Sequence, residues 1–486
     1  MRADALRDRL AEAGQLVRWP DAVPAELTGV TTDSRKVGRG ALFVAYAGSV
    51  VDGHAYLPAA EQAGAVGAAV ERRVGGVAIP QIEVQNGRRA AAIAASLQYG
   101  DPGYSLQLLA VTGTNGKTTT AHLLRHLLGD AAPAGSLGTL GAIDGEGRTL
   151  PNTGHLTTPG SVELQAALAA LRDTGCKTVA IEVSSHSLDQ DRIYGLAFRA
   201  AVYTNLTRDH LDYHGDEASY LGAKLKLSSY LADHGYEITN AADPAWQRLP
   251  PRPERLTFGL DVPADVRATA IEGDALRMRF TIAARGKSAK VVLPLLGRFN
   301  VENALGAAAA AIALGRDLDE VAARRSRTPQ VPGRMERVAE SPCVVLRDYA
   351  HTPDALQRAL AAVRPLTKGR LILVFGCGGD RDRGKRPAMG AIAAEGAHLP
   401  ILTSDNPRTE SPSRVLDDVE EGMGKTPHLR IVDRRAAIAR ALAIARPEDT
   451  ILLAGKGHET YQVVGTERLP FDERDVVAEA IRALAK

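Results

Sequence analysis

The apolar run Leu106 to Thr112 passes directly into Gly113-Thr114-Asn115-Gly116-Lys117-Thr118, and then into a segment with helical patterning. A strand, a glycine-punctuated turn and a helix in that order predict an open α/β sheet whose turn faces a phosphate. Each residue type has a task. Gly113 and Gly116 let backbone N–H groups close around phosphate oxygens, Lys117 brings a positive charge, the Thr118 hydroxyl suits Mg²⁺, and the helix N-terminus adds its partial charge. The turn is shorter than the common G-x-x-x-x-G-K-[ST] loop, which would need glycine where Val111 stands. That departure argues against the GTPase and nucleoside-kinase branches and keeps the phosphate chemistry.

With 486 residues the chain is long enough for about three domains, each with its own core. Lys and Arg number 59 against 57 Asp and Glu, with no long basic run, so a nucleic-acid partner is not expected. Cys176, Cys343 and Cys377 are far apart and form no C-x-x-C pair, which implies neither a disulfide framework nor a zinc site. A reducing cytoplasm fits them. The charged amphipathic start is unlike a secretory signal, and no stretch of about eighteen apolar residues reads as a membrane span.

Turn signals divide the chain into expected domains at 1–103, 104–332 and 333–486. The first boundary is Gly100-Asp101-Pro102-Gly103 and the second lies in Thr328-Pro329-Gln330-Val331-Pro332-Gly333. In the middle segment strands are expected at 106–112, 177–183 and 200–206, with 264–293 alternating like antiparallel strands. In the last, short apolar runs at 344–348, 371–375, 401–404, 431–433 and 451–454 are separated by helical patterns. Such β/α alternation predicts mostly parallel, doubly wound sheets, with ligands beyond the carboxyl ends of the strands.

Candidate chemistry falls at those ends. Glu182 closes a strand next to the phosphate-loop strand, within reach of a nucleotide's Mg²⁺. Asp209, His210, Asp212 and His214 crowd six positions after the next strand, a density that favours metal or acid–base chemistry. Carboxylate and Thr oxygen favour Mg²⁺ over zinc. Arg334, beside the second linker, is a cation that domain closure would bring onto phosphates.

Together, Gly113 to Thr118, Glu182, Asn205 with Asp209-His210, Asn300-x-x-Asn303, and Asp348-Tyr349-Ala350-His351-Thr352-Pro353-Asp354 resemble the Mur ligases, ATP-dependent amide-bond-forming enzymes of peptidoglycan assembly. The likeness spans essentially the whole chain in order. It implies an N-terminal domain for the UDP part of a substrate, a central P-loop ATPase-type domain, and a C-terminal Rossmann-like domain for the incoming amino acid. By it, Gly113, Thr114, Asn115, Gly116, Lys117, Thr118, Thr119, Asn300, Asn303, Arg334, Asp348 and His351 surround ATP. Thr118, Glu182, His210 and Lys224 hold Mg²⁺, with Lys117, His210 and Lys224 serving catalysis. Lys224, ten residues past His214, occupies the place of a lysine carbamylated in family members; read alone it is an ordinary helix lysine.

Within the family, Thr31-Thr32-Asp33-Ser34-Arg35 resembles the uracil-diphosphate segment of the branch that adds the third stem-peptide residue. Asn152-Thr153, the segment His155-Leu156-Thr157-Thr158-Pro159, Ser184, Gln190 and Arg192 resemble its contacts to the muramoyl-dipeptide. Asp405-Asn406-Pro407-Arg408 resembles the signature of enzymes adding meso-diaminopimelate, the Arg pairing with a distal carboxylate that lysine lacks. Alone it is a Pro turn with a helix cap, and Ser411 stands where an acid is usual. Arg381, Gly455 and Glu459 complete that site by resemblance. The implied activity joins UDP-N-acetylmuramoyl-L-alanyl-D-glutamate to meso-2,6-diaminopimelate with ATP and Mg²⁺, by a cytoplasmic monomer in cell-wall biogenesis and hence cell shape and division. Rival readings are a ligase of the same fold that adds L-lysine, a folylpolyglutamate synthetase-like ligase, and a non-catalytic nucleotide-binding module.

Overall fold

The computed structural model describes residues 1–48, 51–130, 132–154, 156–274 and 276–484; His155 of the expected substrate segment lies outside them. Two compact units emerge. The first comprises Met1–Arg267 with Asn303–Asp317, and the second Ala268–Glu302 with Leu318–Lys486.

The first unit contains two sheets. One runs in the order Leu16–Arg18, Gln81–Val84, Gly67–Val70, Ala41–Ala45, Gly29–Thr31, parallel except for its first strand. Leu6, Leu10, Leu42, Val44, Ile82 and Ile93 fill its core, and Val162 from the helix Ser161–Asp173 is buried with them. Seven strands of the other sheet lie wholly in this unit, in the order Arg255–Leu260, Leu231–Asn240, Phe198–Tyr203, Gln107–Thr112, Thr178–Glu182, Ala134–Gly138 and Gly141–Ile143. All pair in parallel except the last, an edge hairpin. Helices cover a parallel sheet on both faces, so its strands must be apolar throughout. Gln107–Thr112 is buried at every position after the first. The phosphate turn leaves this central strand at its carboxyl end, where a doubly wound sheet presents ligands.

In the second unit, Met278–Ala284 and Lys287–Leu293 form the antiparallel pair expected near 264–293. Arg285 and Gly286 turn the hairpin with φ of 51° and 77°, the left-handed geometry that matches strand twist. A six-stranded sheet follows, in the order Glu336–Ala339, Val344–Asp348, Thr450–Ala454, Leu371–Phe375, Leu399–Leu402, Leu429–Arg430, with only the first strand antiparallel. The period of two in its central strand divides the core. Leu371, Leu373 and Phe375 pack under Leu356, Met389 and Val415, while Ile372 and Val374 meet Ile438, Leu442 and Val476 on the other face. This is the expected doubly wound α/β architecture. No helix among the described residues is long and apolar enough to cross a membrane.

Candidate active site

The phosphate turn is built by close approach of two loops. Gly113 and Gly116 have φ of 141° and 86°, and a Cβ would collide at Gly113 with the Thr204 hydroxyl and at Gly116 with the Asn303 amide. Backbone and side-chain hydrogen bonds lock the turn against the end of Phe198–Tyr203. Thr114 N donates to Asn205 O at 2.7 Å, Asn115 N to Asn205 Oδ1 at 2.9 Å, and the Thr204 hydroxyl to Asn115 O at 2.7 Å. Lys117 Nζ folds back onto the carbonyls of Gly113 (3.0 Å) and Thr114 (2.8 Å), at the start of the helix Lys117–Leu128. Thr119 is buried in that helix's first turn.

Thr118 and Glu182, expected to share a metal, are joined by a 3.0 Å hydrogen bond from hydroxyl to carboxylate. Thr139 also donates to Glu182 from its backbone at 2.9 Å, a contact with no motif to announce it. No group of three or more His, Cys, Asp or Glu among the described residues is arranged to hold a metal. A hydroxyl and a carboxylate nonetheless fit Mg²⁺, which takes few protein oxygens and fills its octahedron with phosphate and water.

His210 lies at φ 53°, its ring 4.8 Å from His186 and 6.1 Å from that of Tyr220. Burial lowers its pKa, and Lys117 and Lys224 act the same way. Burial, then His210 and His214, push His186 down to about 4, leaving a neutral imidazole. Lys224 is 1% exposed and donates to Gly113 O at 2.8 Å, with its Nζ 4.6 Å from the Tyr220 ring centre. Burial, reinforced by Lys117, holds its ammonium well below the ordinary lysine range. The phosphate turn thus gathers Lys117, Thr118, Glu182, Asn303 and Lys224.

A cavity of about 360 Å³ in the same unit is lined by Asn152, Gln190 and Arg192 of the expected substrate residues. Lys36, Arg88 and Glu163 also line it, side chains that sequence patterning leaves among ordinary surface charges. Thr158 and Ser184 stand behind Arg192. The Thr158 carbonyl accepts from Arg192 at 2.7 Å, its hydroxyl donates to Glu182 O at 2.7 Å, and the Ser184 hydroxyl caps the helix Ser185–Asp189. Thr157 sits with Thr139 at 3.3 Å, on the Glu182 side. Ser34 opens the turn Ser34–Lys36, which Asp33 caps; Lys36, not Ser34, lines the cavity.

In the second unit Asp348 accepts from Met335 N at 2.7 Å, and burial raises its carboxyl to about 6 despite Arg334 nearby. The Arg334 guanidinium lies 4.8 Å from the Tyr349 ring centre, and His351, exposed, packs on the same ring at 4.5 Å. Asn300, one helical turn before Asn303, donates to Leu296 O at 2.8 Å. The signature loop forms a separate cluster. Asn406 donates to Glu459 at 2.8 Å, and the fully buried Lys456 donates to Asn406 Oδ1 (3.1 Å) and Glu459 (3.0 Å). Gly455 has φ 115°, and a Cβ there would press on Asp405 Oδ2. Arg408, at φ 52°, donates to Gly379 O at 2.7 Å, while Arg381 on the adjoining loop is exposed. Lys456 fixes the Asn406 amide, a role its sequence does not announce, because Gly-Lys-Gly alone is a weak signal.

Family models match almost end to end: the Mur ligase family catalytic domain at 26–106, the Mur ligase middle domain at 111–311, and the Mur ligase glutamate ligase domain at 333–457. A relative from Gloeobacter violaceus is 44% identical, covering 99% of both chains, and one from Thermosynechococcus vestitus is 43% identical over 96% of this chain and 95% of its own. Both are named UDP-N-acetylmuramoyl-L-alanyl-D-glutamate–2,6-diaminopimelate ligase. A solved structure of a ligase with that name superposes with a TM-score of 0.68 at 35% identity, covering 97% of each chain.

Proposed function

The chain belongs to the Mur ligase family, and from that membership we infer that it joins meso-2,6-diaminopimelate to UDP-N-acetylmuramoyl-L-alanyl-D-glutamate with cleavage of ATP to ADP and phosphate. What carries the reading is likeness at 44% identity over 99% of the chain to a ligase named for these substrates, with Asp405 to Arg408 intact. A lysine-adding ligase has less in its favour because a lysine side chain gives the Arg408 cation no carboxylate to meet, and a folylpolyglutamate-type ligase because Thr31 to Arg35 resemble the segment that binds a UDP-linked substrate.

The chemistry needs no protein nucleophile. A substrate carboxylate oxygen attacks the γ-phosphorus and the bond to ADP breaks. The incoming amine then attacks the acyl phosphate's carbonyl, loses a proton, and expels phosphate. The protein aligns these groups and stabilises spread negative charge. In this reading Lys117 swings from its loop carbonyls to the phosphates, Arg334 adds a second cation, and Thr118 with Glu182 holds Mg²⁺, which supplies charge neutralisation on the phosphates. His210 and a carbamylated Lys224 complete the metal site. In the first unit, Arg192 and Gln190 hold the UDP-linked substrate; in the second, Glu459 takes an amino group and Arg408 the distal carboxylate. Three free, buried cysteines suit a reducing compartment, and we assign the reaction to the cytoplasm and to a monomer.

The deciding experiment is an amino-acid panel with UDP-muramoyl-dipeptide, ATP and Mg²⁺, scored by product mass. Diaminopimelate product with little or none from lysine or glutamate is expected. Phosphate release that no added amine stimulates would favour the non-catalytic nucleotide-binding module.

A further inference from the structure

Gln190 and Arg192, which face the first unit's cavity, are oriented by hydrogen bonds whose direction is set at their far end. Asp189 is the fixed point. Its carboxylate accepts from Lys226 Nζ at 3.0 Å and from the Tyr213 hydroxyl at 2.9 Å. Burial would raise its pKa, but the bonds from Lys226 and Tyr213 hold it below the ordinary carboxylate range. An ionised carboxylate can only accept. The Tyr213 hydroxyl has one proton, gives it to Asp189, and is left as an acceptor toward Gln190. Gln190 therefore turns its NH₂ to Tyr213, at 3.0 Å, and its oxygen to Arg192, which donates from Nε at 3.1 Å and from its terminal nitrogen at 2.8 Å. The remaining arm of Arg192 donates to Thr158 O at 2.7 Å. A flipped Gln190 amide would set N–H groups against the guanidinium donors. The Tyr213 ring packs on His186 with centres 4.2 Å apart, so the relay stands between the cavity and the histidines of the phosphate side.

We propose that Tyr213 is a positioning residue for the UDP-linked substrate: its hydroxyl fixes the Gln190 amide, and through it the Arg192 guanidinium, before the substrate arrives. The inference rests on the reading of the cavity as the muramoyl-dipeptide site. A carboxylate entering there meets a donor fork already aligned, so little side-chain freedom remains to be lost on binding. Sequence cannot reveal the arrangement, because Tyr213 lies 23 residues from Gln190 and joins it only through the fold.

The test is calorimetric titration with UDP-muramoyl-dipeptide, together with steady-state kinetics varying each substrate in turn. Tyr213→Phe keeps the ring on His186 and loses only the hydroxyl. Its Kd and KM for UDP-muramoyl-dipeptide should rise about 5- to 30-fold, the range expected for one lost hydrogen bond in a charged network, with KM for ATP within twofold of wild type. Asp189→Asn places a group at the far end that can donate, releases the hydroxyl's direction, and should shift the same KM. Because both changes act through one path, the double variant should be no worse than the worse single. An unchanged KM for UDP-muramoyl-dipeptide in Tyr213→Phe, an equal rise in KM for ATP, or additive losses in the double variant would overturn the proposal. A wild-type enzyme that fails to bind UDP-muramoyl-dipeptide would overturn the reading of the cavity itself, and the proposal with it.

Discussion

A lysine ammonium that is 1% exposed, with a carbonyl for a partner and Lys117 as a charged neighbour, sits where the neutral amine is favoured. Neutral amine is the form that adds CO₂, so the surroundings of Lys224 support the carbamate we assign to it. Carbamylation replaces a cation beside Lys117 with an anion able to face Mg²⁺. Lys224→Ala should be nearly inactive and partly rescued by short carboxylates, and ¹³CO₂ labelling of the wild type should give a carbamate signal; an active enzyme with no such signal would sink the idea. Arg408 carries the second prediction at this scale. Its anchor on Gly379 O leaves the rest of the guanidinium fork for a ligand carboxylate, and lysine would set an ammonium there instead. Losing one partner of a desolvated charge pair costs on the order of 2–5 kcal/mol. Arg408→Ala should therefore lower kcat/KM for diaminopimelate by roughly 30-fold or more and barely alter the use of lysine. A variant that keeps its full preference would move the selection to Arg381 and Asn406.

The two loops assigned to the incoming amino acid are tied to one helix. Arg386, with no exposed side-chain surface on Lys385–Gly396, donates to Glu410 at 2.8 and 3.0 Å and to Asp418 at 2.7 Å. Glu410 in turn accepts from Asp380 N at 2.6 Å, tying the 376–381 loop to the signature loop. The Arg386 hydrogen bond, with the Asp380 N–H, brings the Glu410 carboxyl down from 4.5 to about 2. A carboxyl depressed in the folded state adds stability that is fully present above its unfolded pKa and lost as pH falls toward the folded one. Glu410→Gln should thus cost about 1–2 kcal/mol at neutral pH, and the gap from wild type should close between pH 4.5 and 2. Melting temperatures measured across that range check it, and a gap independent of pH would refute it. Neither the bond nor its partners show in the sequence, because Arg386 and Glu410 are 24 residues apart. What was legible was local. Leu371–Phe375 has the expected bounds because a short, uninterrupted apolar run between turns reads as a buried strand, and Val344–Asp348 has them although Arg347 and Asp348 close it with charge. Leu231–Asn240 escaped because Asp233, His234 and Glu237 break its apolar run, and the hairpin Tyr461–Val464 with Glu467–Pro470 escaped because it is largely exposed. Motifs revealed the loop residues assigned to phosphate or ligand; the side chains that hold them, such as Lys456 and Tyr213, required the fold.

Over the whole molecule, what counts is which cores are shared. The sheet of the first hundred residues and the phosphate-binding sheet lie in one compact unit, because the helices Gly87–Gln98 and Ser161–Asp173 pack together and Val162 enters the first sheet's core. That association depends on which apolar faces meet, and helical periodicity predicts the faces without pairing them. The second unit has separate cores on the two faces of its own sheet. Two units with their own cores need not melt as one, since two-state behaviour belongs to single domains. Scanning calorimetry should therefore resolve more than one transition. A ligand that binds only the folded form of its unit stabilises that unit by RT ln(1 + [L]/Kd), about 2.7 kcal/mol at a hundred times Kd. UDP-muramoyl-dipeptide, assigned to residues 152–192, should raise the first unit's transition, and diaminopimelate, assigned to residues 381–459, the second's. Hydrogen exchange under the same conditions identifies each transition by its peptides. A single transition raised equally by both ligands would mean that the molecule unfolds as one body, and that the units are divisions of geometry rather than of stability.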